Sequence, residues 1–218
     1  CFAQYRGLDL ARPGTSLMWL DAPLAAYLFP NDDGVSVAGC MPPKSRLDEF
    51  RDDPDTALEA LYARLPGAPR LDPALRQGRA LLVKDYPTQW REPVHEGMAL
   101  VGDAAMSIDP LWGVGCGWAL QSAEWLVDAT ADAVREGGDL PAALTTYRKR
   151  HHRELDGHRF LINDFSKRER LNLVERLKFT AATRDAKTGE HLAAFGGRLI
   201  GPGEFLAPAA VLRAVAAL

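Results

Sequence analysis

Cysteine is scarce in this chain. Its 218 residues hold three, Cys1, Cys40 and Cys116, odd in number and far apart. That spacing argues against a disulfide framework and suits a reducing compartment, so a cytoplasmic protein is expected. Neither CxxC nor HExxH occurs, which removes the common zinc spacings. GxGxxG, the P-loop and the GxSxG elbow are absent as well. No apolar run approaches the ~18 to 20 residues a membrane span needs. An excess of one charge is also missing. Against 26 Lys and Arg stand 29 Asp and Glu, and a net of −3 makes no overall case for a nucleic-acid partner. The opening Cys1-Phe2-Ala3-Gln4-Tyr5 lacks an initiator Met, a basic region and an apolar core, so it does not read as a signal peptide. The expectation is a chain that begins inside a larger protein.

The composition that remains is ordinary for a soluble globular chain, 47% hydrophobic and 25% charged. The length suits one large domain or two small ones. Such a chain buries enough surface to need no disulfide or metal.

The first part reads as antiparallel strands with one crossing helix. Leu17–Leu20 and Ala25–Phe29 are short apolar runs. Asn31-Asp32-Asp33-Gly34 is a hairpin turn signal, because Asn and Asp bond their own backbone and Gly accepts positive φ. Val35–Met41 completes the hairpin, and Pro42-Pro43 stops it. Asp52-Asp53-Pro54 signals a helix start. Ala57, Leu58, Leu61, Tyr62 and Leu65 then share one face up to Pro66-Gly67. Leu81–Tyr86 reads as a further strand closed by Pro87.

The middle changes character. Gly97–Asp103 is a short apolar strand ending in Gly-Asp, and a Pro/Gly-rich loop over 108–117 follows. A long helix from about Trp118 to Arg135 comes next, its inner side assigned to Ala119, Ala123, Leu126, Val127 and Val134. Gly137-Gly138 ends it. The last third is helical, from Leu140-Pro141 towards Phe165. A loop is expected over 195–203 and a short helix after Pro208. Between Arg148 and Lys187 there are 12 Lys/Arg and 6 Asp/Glu, a local net of +6. This reads as a solvated helix face, with docking of a phosphate-bearing cofactor or acidic partner as the alternative. His151-His152 reads as solvated helix surface, with a phosphate contact as the alternative.

One constellation carries chemistry. A strand ending in Gly102-Asp103 places a carboxylate at the C-terminal edge of a sheet, where open α/β sheets hold ligands. That carboxylate can accept from ligand hydroxyls such as those of a ribityl or ribose chain. Gly113-x-Gly115-x-Gly117 then precedes a helix directly. The glycines let backbone approach a flat or anionic ligand, and the first amides of the helix point at it. The alternative is a tight connection with no ligand. It is not the dinucleotide fingerprint, since Trp118 stands where a third glycine would fall.

Gly102-Asp103-Ala104-Ala105, Asp109-Pro110, Gly113-Val114-Gly115 and Ala119-Leu120-Gln121-Ser122-Ala123 together resemble the second FAD motif of the class A flavoprotein monooxygenases. These are the para-hydroxybenzoate hydroxylase-like enzymes, and flavin-dependent halogenases and geranylgeranyl reductases share the motif. The match covers roughly residues 97 to 126. The fold this resemblance implies is α/β in the mixed α+β sense. A mostly antiparallel substrate-domain sheet over 1–93 would precede a strand–loop–helix of an FAD-binding domain over 94–136, with C-terminal helices over 137–218.

The implied site follows residue by residue. Gly102 and Asp103 would meet the ribityl or pyrophosphate region of FAD. Pro110, Gly113, Val114, Gly115, Cys116 and Gly117 would run beside the isoalloxazine ring, and their amides would stabilise negative charge on reduced flavin. Trp112, Trp19 and Phe29, with Tyr27, are candidates for an apolar substrate wall or for plain core packing. Cys116 reads as a small packing residue, and Asp109 as a turn or cap residue. The implied activity is monooxygenation of an aromatic or polyketide-like small molecule, with NAD(P)H as reductant. Three features depart from the hydroxylase pattern. Gly117 stands where hydroxylases usually carry Asn. Ser122 stands where they carry Asp. Asp109-Pro110 and Ser122-Ala123 lean towards the halogenase and reductase branches. The halogenase Trp-x-Trp-x-Ile-Pro stretch is not present in the chain. A truncated module that binds no FAD is the remaining alternative, since the half that holds the ADP portion is not in the sequence. This stretch by itself is expected to bind FAD weakly or not at all.

Overall fold

The structure is a computed structural model that describes residues 1–21, 24–168 and 170–218. It divides into two compact units, Cys1–Asp85 and Tyr86–Leu218.

The first unit is a four-stranded antiparallel sheet in the order β1-β4-β3-β2. The strands are β1 (Phe2–Arg6), β2 (Leu17–Asp21), β3 (Leu24–Pro30) and β4 (Val35–Met41). Ala26 pairs with Cys40 and Leu28 with Ala38, so the two-residue period sends these four side chains to one buried face. The expected hairpin forms. Its turn is a single 3₁₀ turn in which Asp33 (φ 56°) and Gly34 (φ 68°) take the left-handed backbone that Asp and Gly tolerate.

Helix α1 (Leu47–Arg51) was not evident from periodicity; it is too short to show one. Helix α2 (Pro54–Tyr62) starts as expected. Pro54 opens it, and the Asp53 carboxylate accepts from the Thr56 N–H at 3.2 Å. It ends at Tyr62, before Pro66. Phe50, Leu58, Leu61 and Tyr62 are buried in the cluster that holds Ala26, Leu28, Ala38 and Cys40. The Tyr62 hydroxyl accepts from the Gly39 N–H at 3.0 Å and donates to the Tyr27 carbonyl, pinning α2 to β3 and β4.

The strand expected over Leu81–Tyr86 does not form. Leu81 alone exchanges two backbone bonds with Phe2, at 3.0 and 2.8 Å, and Leu82–Tyr86 join no ladder. Leu81, Val83 and Tyr86 are exposed, so the run finds no face to bury.

The second unit is mainly helical. Strand β5 (Gln89–Trp90) pairs antiparallel with β8 (Met106–Ser107), and β6 (Val94–His95) with β7 (Met98–Ala99). The strand expected over 97–103 is thus reduced to Met98–Ala99. It lies in a two-residue antiparallel ladder, and no parallel sheet occurs among the described residues. The ladder stops because Pro93, opposite Leu100, has no N–H to continue it, and Gly102 at positive φ turns the chain again.

Helices α3 (Gly115–Glu136) and α4 (Leu140–Ser166) follow. Gly137 at φ 71° ends α3, and Asp139 caps α4 through the Ala142 N–H at 3.0 Å. The inner face of α3 is Trp118, Ser122 and Trp125, one residue off the expected stripe. Val127 and Val134, assigned inside, are 61% and 67% exposed. Small Ala residues spaced along α3 hid this rotation, because they fit either face. The chain then forms α5 (Leu173–Ala182), α6 (Ala186–Gly196), α7 (Pro202–Phe205) and α8 (Pro208–Ala216). The loop expected over 195–203 is shorter than read, since α6 runs through Gly196 and α7 opens at Pro202. No helix among the described residues is long and apolar enough to cross a membrane.

Lys178 on α5 is 1% exposed, and its Nζ has no hydrogen-bond partner among the described residues. It lies 4.7 Å from the Phe205 ring centroid, and burial and Arg213 lower its pKa. An ammonium desolvated without a counter-charge opposes folding. Lys178→Met is therefore expected to raise the urea unfolding free energy by about 1 to 3 kcal/mol. A loss of stability in that variant would mean the ammonium has an acceptor.

Candidate functional site

The Gly-Asp segment and the glycine loop come together on the N-terminal part of α3. Gly102 opens a 3₁₀ turn (Gly102–Ala104) at φ 55°, a conformation that favours glycine. Its N–H donates to Ser122 Oγ at 2.9 Å, and the Ser122 hydroxyl donates onward to the Ala119 carbonyl at 2.9 Å. Ser122 is buried, so this latch works out of water. A Cβ on Gly102 would stand 2.9 Å from that of Ala119, too close without a shift of α3. Asp103, the next residue, is exposed, and the Tyr86 hydroxyl lies 3.4 Å from its Oδ2. Ser122 is a site residue that motif reading noticed only as a substitution. Its role as a latch needed the fold.

Asp109 is a cap, as read. Its carboxylate accepts from the Leu111 N–H at 3.0 Å and sets up the 3₁₀ turn Pro110–Trp112. Gly113 at φ 62° reverses the chain, Val114 is buried, and α3 begins at Gly115. No side chain caps α3 at Val114. Among the described residues, the amides of Gly115, Cys116 and Gly117 have no hydrogen-bond acceptor. A Cβ at Gly115 would meet nothing within 4 Å. The start of this long helix is therefore open, close to bare backbone and electropositive. Cys116 is exposed there, not a packing residue as expected, because the buried side of this turn is taken by Val114 and Trp118. At Gly117 the reason for glycine differs: a Cβ would collide with the Arg198 guanidinium. Arg198 Nη1 donates to the Val114 carbonyl at 3.2 Å. Nothing in the sequence links these positions 84 apart.

Trp112 sits edge-on to Phe165 and Phe195, with centroids 5.3 and 6.3 Å away. Trp112, Trp118, His158, Phe195 and Arg198 are among the walls of a small pocket, about 20 Å³, room for a water or two. His158 stacks on Phe195, and burial followed by the nearby Arg198 charge lowers its pKa. Trp19 and Phe29 belong to the first unit. Trp19 Nε1 donates to the Pro66 carbonyl at 2.9 Å and its ring meets Tyr62 edge-on, so its role there is packing. Phe29 stacks on Tyr27 and keeps an exposed face.

The histidine pair is not a solvated surface. His151 is 1% exposed, enclosed by Trp90, Trp125 and Tyr147, and burial pushes its pKa down to about 4. His152 is half-buried and lies 3.2 Å from both Glu92 and Asp156. Carboxylates thus take the place of the phosphate considered for it. The indole rings of Trp90 and Trp125, far apart in sequence, cover the helix face that composition alone marked as polar. Among the described residues, no cluster of His, Cys, Asp and Glu could hold a metal ion.

The fold resembles that of solved flavoproteins. The chain is similar over 99% of its length to the flavin-dependent brominase Bmp2, with a TM-score of 0.64 and 21% identity over 54% of that chain. A triple mutant of the same brominase gives 0.65, 22% and 53%. A flavoprotein/dehydrogenase from Cytophaga hutchinsonii matches with a TM-score of 0.67 and 14% identity, again over 99% of this chain and 53% of that one. The chain thus spans about half the length of these structures. No protein-family model and no curated protein matches it.

Proposed function

We propose that this chain is the flavin-lining and substrate-domain portion of an FAD-dependent oxidoreductase, a monooxygenase of aromatic or polyketide-like small molecules drawing on NAD(P)H. The observation that carries the reading is the latched Gly102-Asp103 turn beside the open, glycine-built start of α3. The residues fit FAD in three ways. Asp103 offers an exposed carboxylate, with only Tyr86 against one oxygen, to polyol hydroxyls. Gly113 and Gly115 leave the backbone bare for a flat ring. The unpartnered amides of Gly115, Cys116 and Gly117 suit an anionic edge. Bound FAD would supply the electron transfer, and these residues would bind it, orient it and hold negative charge. Trp112 would wall the neighbouring pocket.

A second reading, flavin-dependent halogenation, is favoured by the fold likeness to the brominase and by Asp109-Pro110 and Ser122-Ala123. Geranylgeranyl-reductase-like reduction and a module without FAD remain as outcomes of the test. The native protein that contains this chain is expected to purify with flavin absorbance. Asp103→Ala should weaken FAD binding about tenfold or more, the scale of a charge-assisted contact. Undiminished flavin in that variant would remove Asp103 from the site. A native protein that never binds flavin would favour the module without cofactor. Turnover with and without halide then separates halogenation from oxygenation.

A further inference from the structure

Cys1 and Cys40 stand 39 positions apart in sequence, and the first sheet sets them face to face. The register of β1 on β4 pairs Phe2 with Gly39 and Ala3 with Ala38, and one more step puts Cys1 opposite Cys40. The backbone carries that step. The Cys1 nitrogen donates to the Cys40 carbonyl at 2.9 Å, and the Cys40 N–H donates to the Cys1 carbonyl at 2.8 Å. Residues that exchange both bonds across an antiparallel ladder hold their Cα atoms about 5.5 Å apart. A disulfide spans roughly 4.4 to 6.8 Å between Cα atoms, so the pair falls inside that range with no movement of the backbone.

The two side chains leave the sheet on one face, as directly opposed residues do. Cys40 is buried in the core cluster with Leu58 and Tyr62 of α2, and Cys1 packs against the same cluster. The Cys1 thiol donates to the carbonyl of Pro54, the first residue of α2, at 3.8 Å. Both cysteines are free thiols. Cys1 is half-buried and Cys40 fully buried, so a small oxidant meets Cys1 first. Burial also pushes the Cys40 thiol up to about 11, which keeps it protonated until its partner has reacted.

We infer that Cys1 and Cys40 form a reversible redox pair, closed to a disulfide by a peroxide and opened again by a dithiol. The Cys1 thiolate attacks one peroxide oxygen, the O–O bond breaks, and Cys1 becomes a sulfenic acid as the first water leaves. The Cys40 sulfur then attacks the Cys1 sulfur. The S–S bond forms, the S–O bond breaks, and the departing hydroxide takes the Cys40 proton as a second water. Two thiols thus give up two electrons and two protons, and the peroxide is reduced to two waters. The bond would staple the edge strand β1 to β4. A reducing compartment keeps the pair open, which suits a sensor of oxidation rather than a permanent staple. The inference is independent of the flavin reading, because both residues lie in the first unit and its test contains no flavin.

The test uses the 218-residue chain with Cys116→Ser, which leaves this pair as its two thiols. One equivalent of hydrogen peroxide, added to the folded chain, should take the thiol count from two to zero. The intact mass should fall by two hydrogens, and digestion should yield the Cys1 peptide joined to the Cys40 peptide. Dithiothreitol should restore both thiols. The oxidised chain should melt about 5 °C above the reduced one. Cys40→Ser should halt the reaction at a sulfenic acid on Cys1, which dimedone traps. Two persisting thiols, a disulfide between two chains, closure only in urea, or a lower melting temperature on oxidation would each overturn the inference. If Cys40→Ser fails to fold, the mass and the peptide map of the chain with both cysteines still decide.

Discussion

Lowering the pH from 7.5 to 5 should cost this protein about 2 kcal/mol of stability through His151 alone. The imidazole is buried against Trp90, Trp125 and Tyr147, and its pKa falls from 6.5 to about 4. Desolvation is the main cause. The neighbouring His152 lowers the value further, while Asp156 and Glu92 oppose the shift. The sign follows directly. Between the two values the unfolded chain takes up a proton that the folded chain refuses, so stability is complete above about 6.5 and drains away as the pH falls towards 4. Across the whole window the contribution is about 3 kcal/mol. His158 and His191, whose pKa values burial also lowers, act in the same direction. Urea unfolding at pH 7.5 and 5 measures the slope. His151→Phe, which keeps an aromatic ring in the cage, should flatten it by about 2 kcal/mol. An undiminished slope in that variant would show that other groups carry the acid sensitivity.

Gly102→Ala should destabilise the second unit by about 2 to 4 kcal/mol, more than most substitutions of comparable size. Two costs combine. Alanine at φ 55° is forced into the left-handed region, and its Cβ presses on that of Ala119. Ser122→Ala should cost about 1 to 3 kcal/mol, because it leaves the Gly102 N–H without its acceptor. The two changes act on one contact between the turn and α3, so the double variant should lose less than the sum. Additive losses by chemical denaturation would separate the glycine from the serine and dissolve the latch. Where FAD is bound, the same variants should weaken it, since they move the backbone that carries Asp103.

Local chemistry accounts for what the sequence made legible. Asn31–Gly34 turns the hairpin because each residue there tolerates the turn's backbone. Asp53, Pro54, Gly137 and Pro141 mark helix ends through equally local preferences. The glycine loop was visible because Gly113, Gly115 and Gly117 stand at alternate positions directly before a long helix. Other features were not legible, for reasons that are also physical. Leu81–Tyr86 has strand-forming residues but no surface to cover. The alanine-rich face of α3 left its rotation undetermined by periodicity. His151 has the polarity of a surface and the burial of a core, because Trp90 and Trp125 from other segments, with Tyr147 on its own helix, enclose it.

The sequence by itself determined the hairpin, the starts of α2 and α4 and the end of α3, all of which depend on neighbours a few positions away. The tertiary structure alone decided that Ser122 holds Gly102, that Arg198 fills the space Gly117 leaves, and that His151 is shut away from water. Each of these joins positions 20 or more apart or buries a polar group. Only the packed chain brings such partners together, since burial and long-range hydrogen bonds leave no period in the sequence.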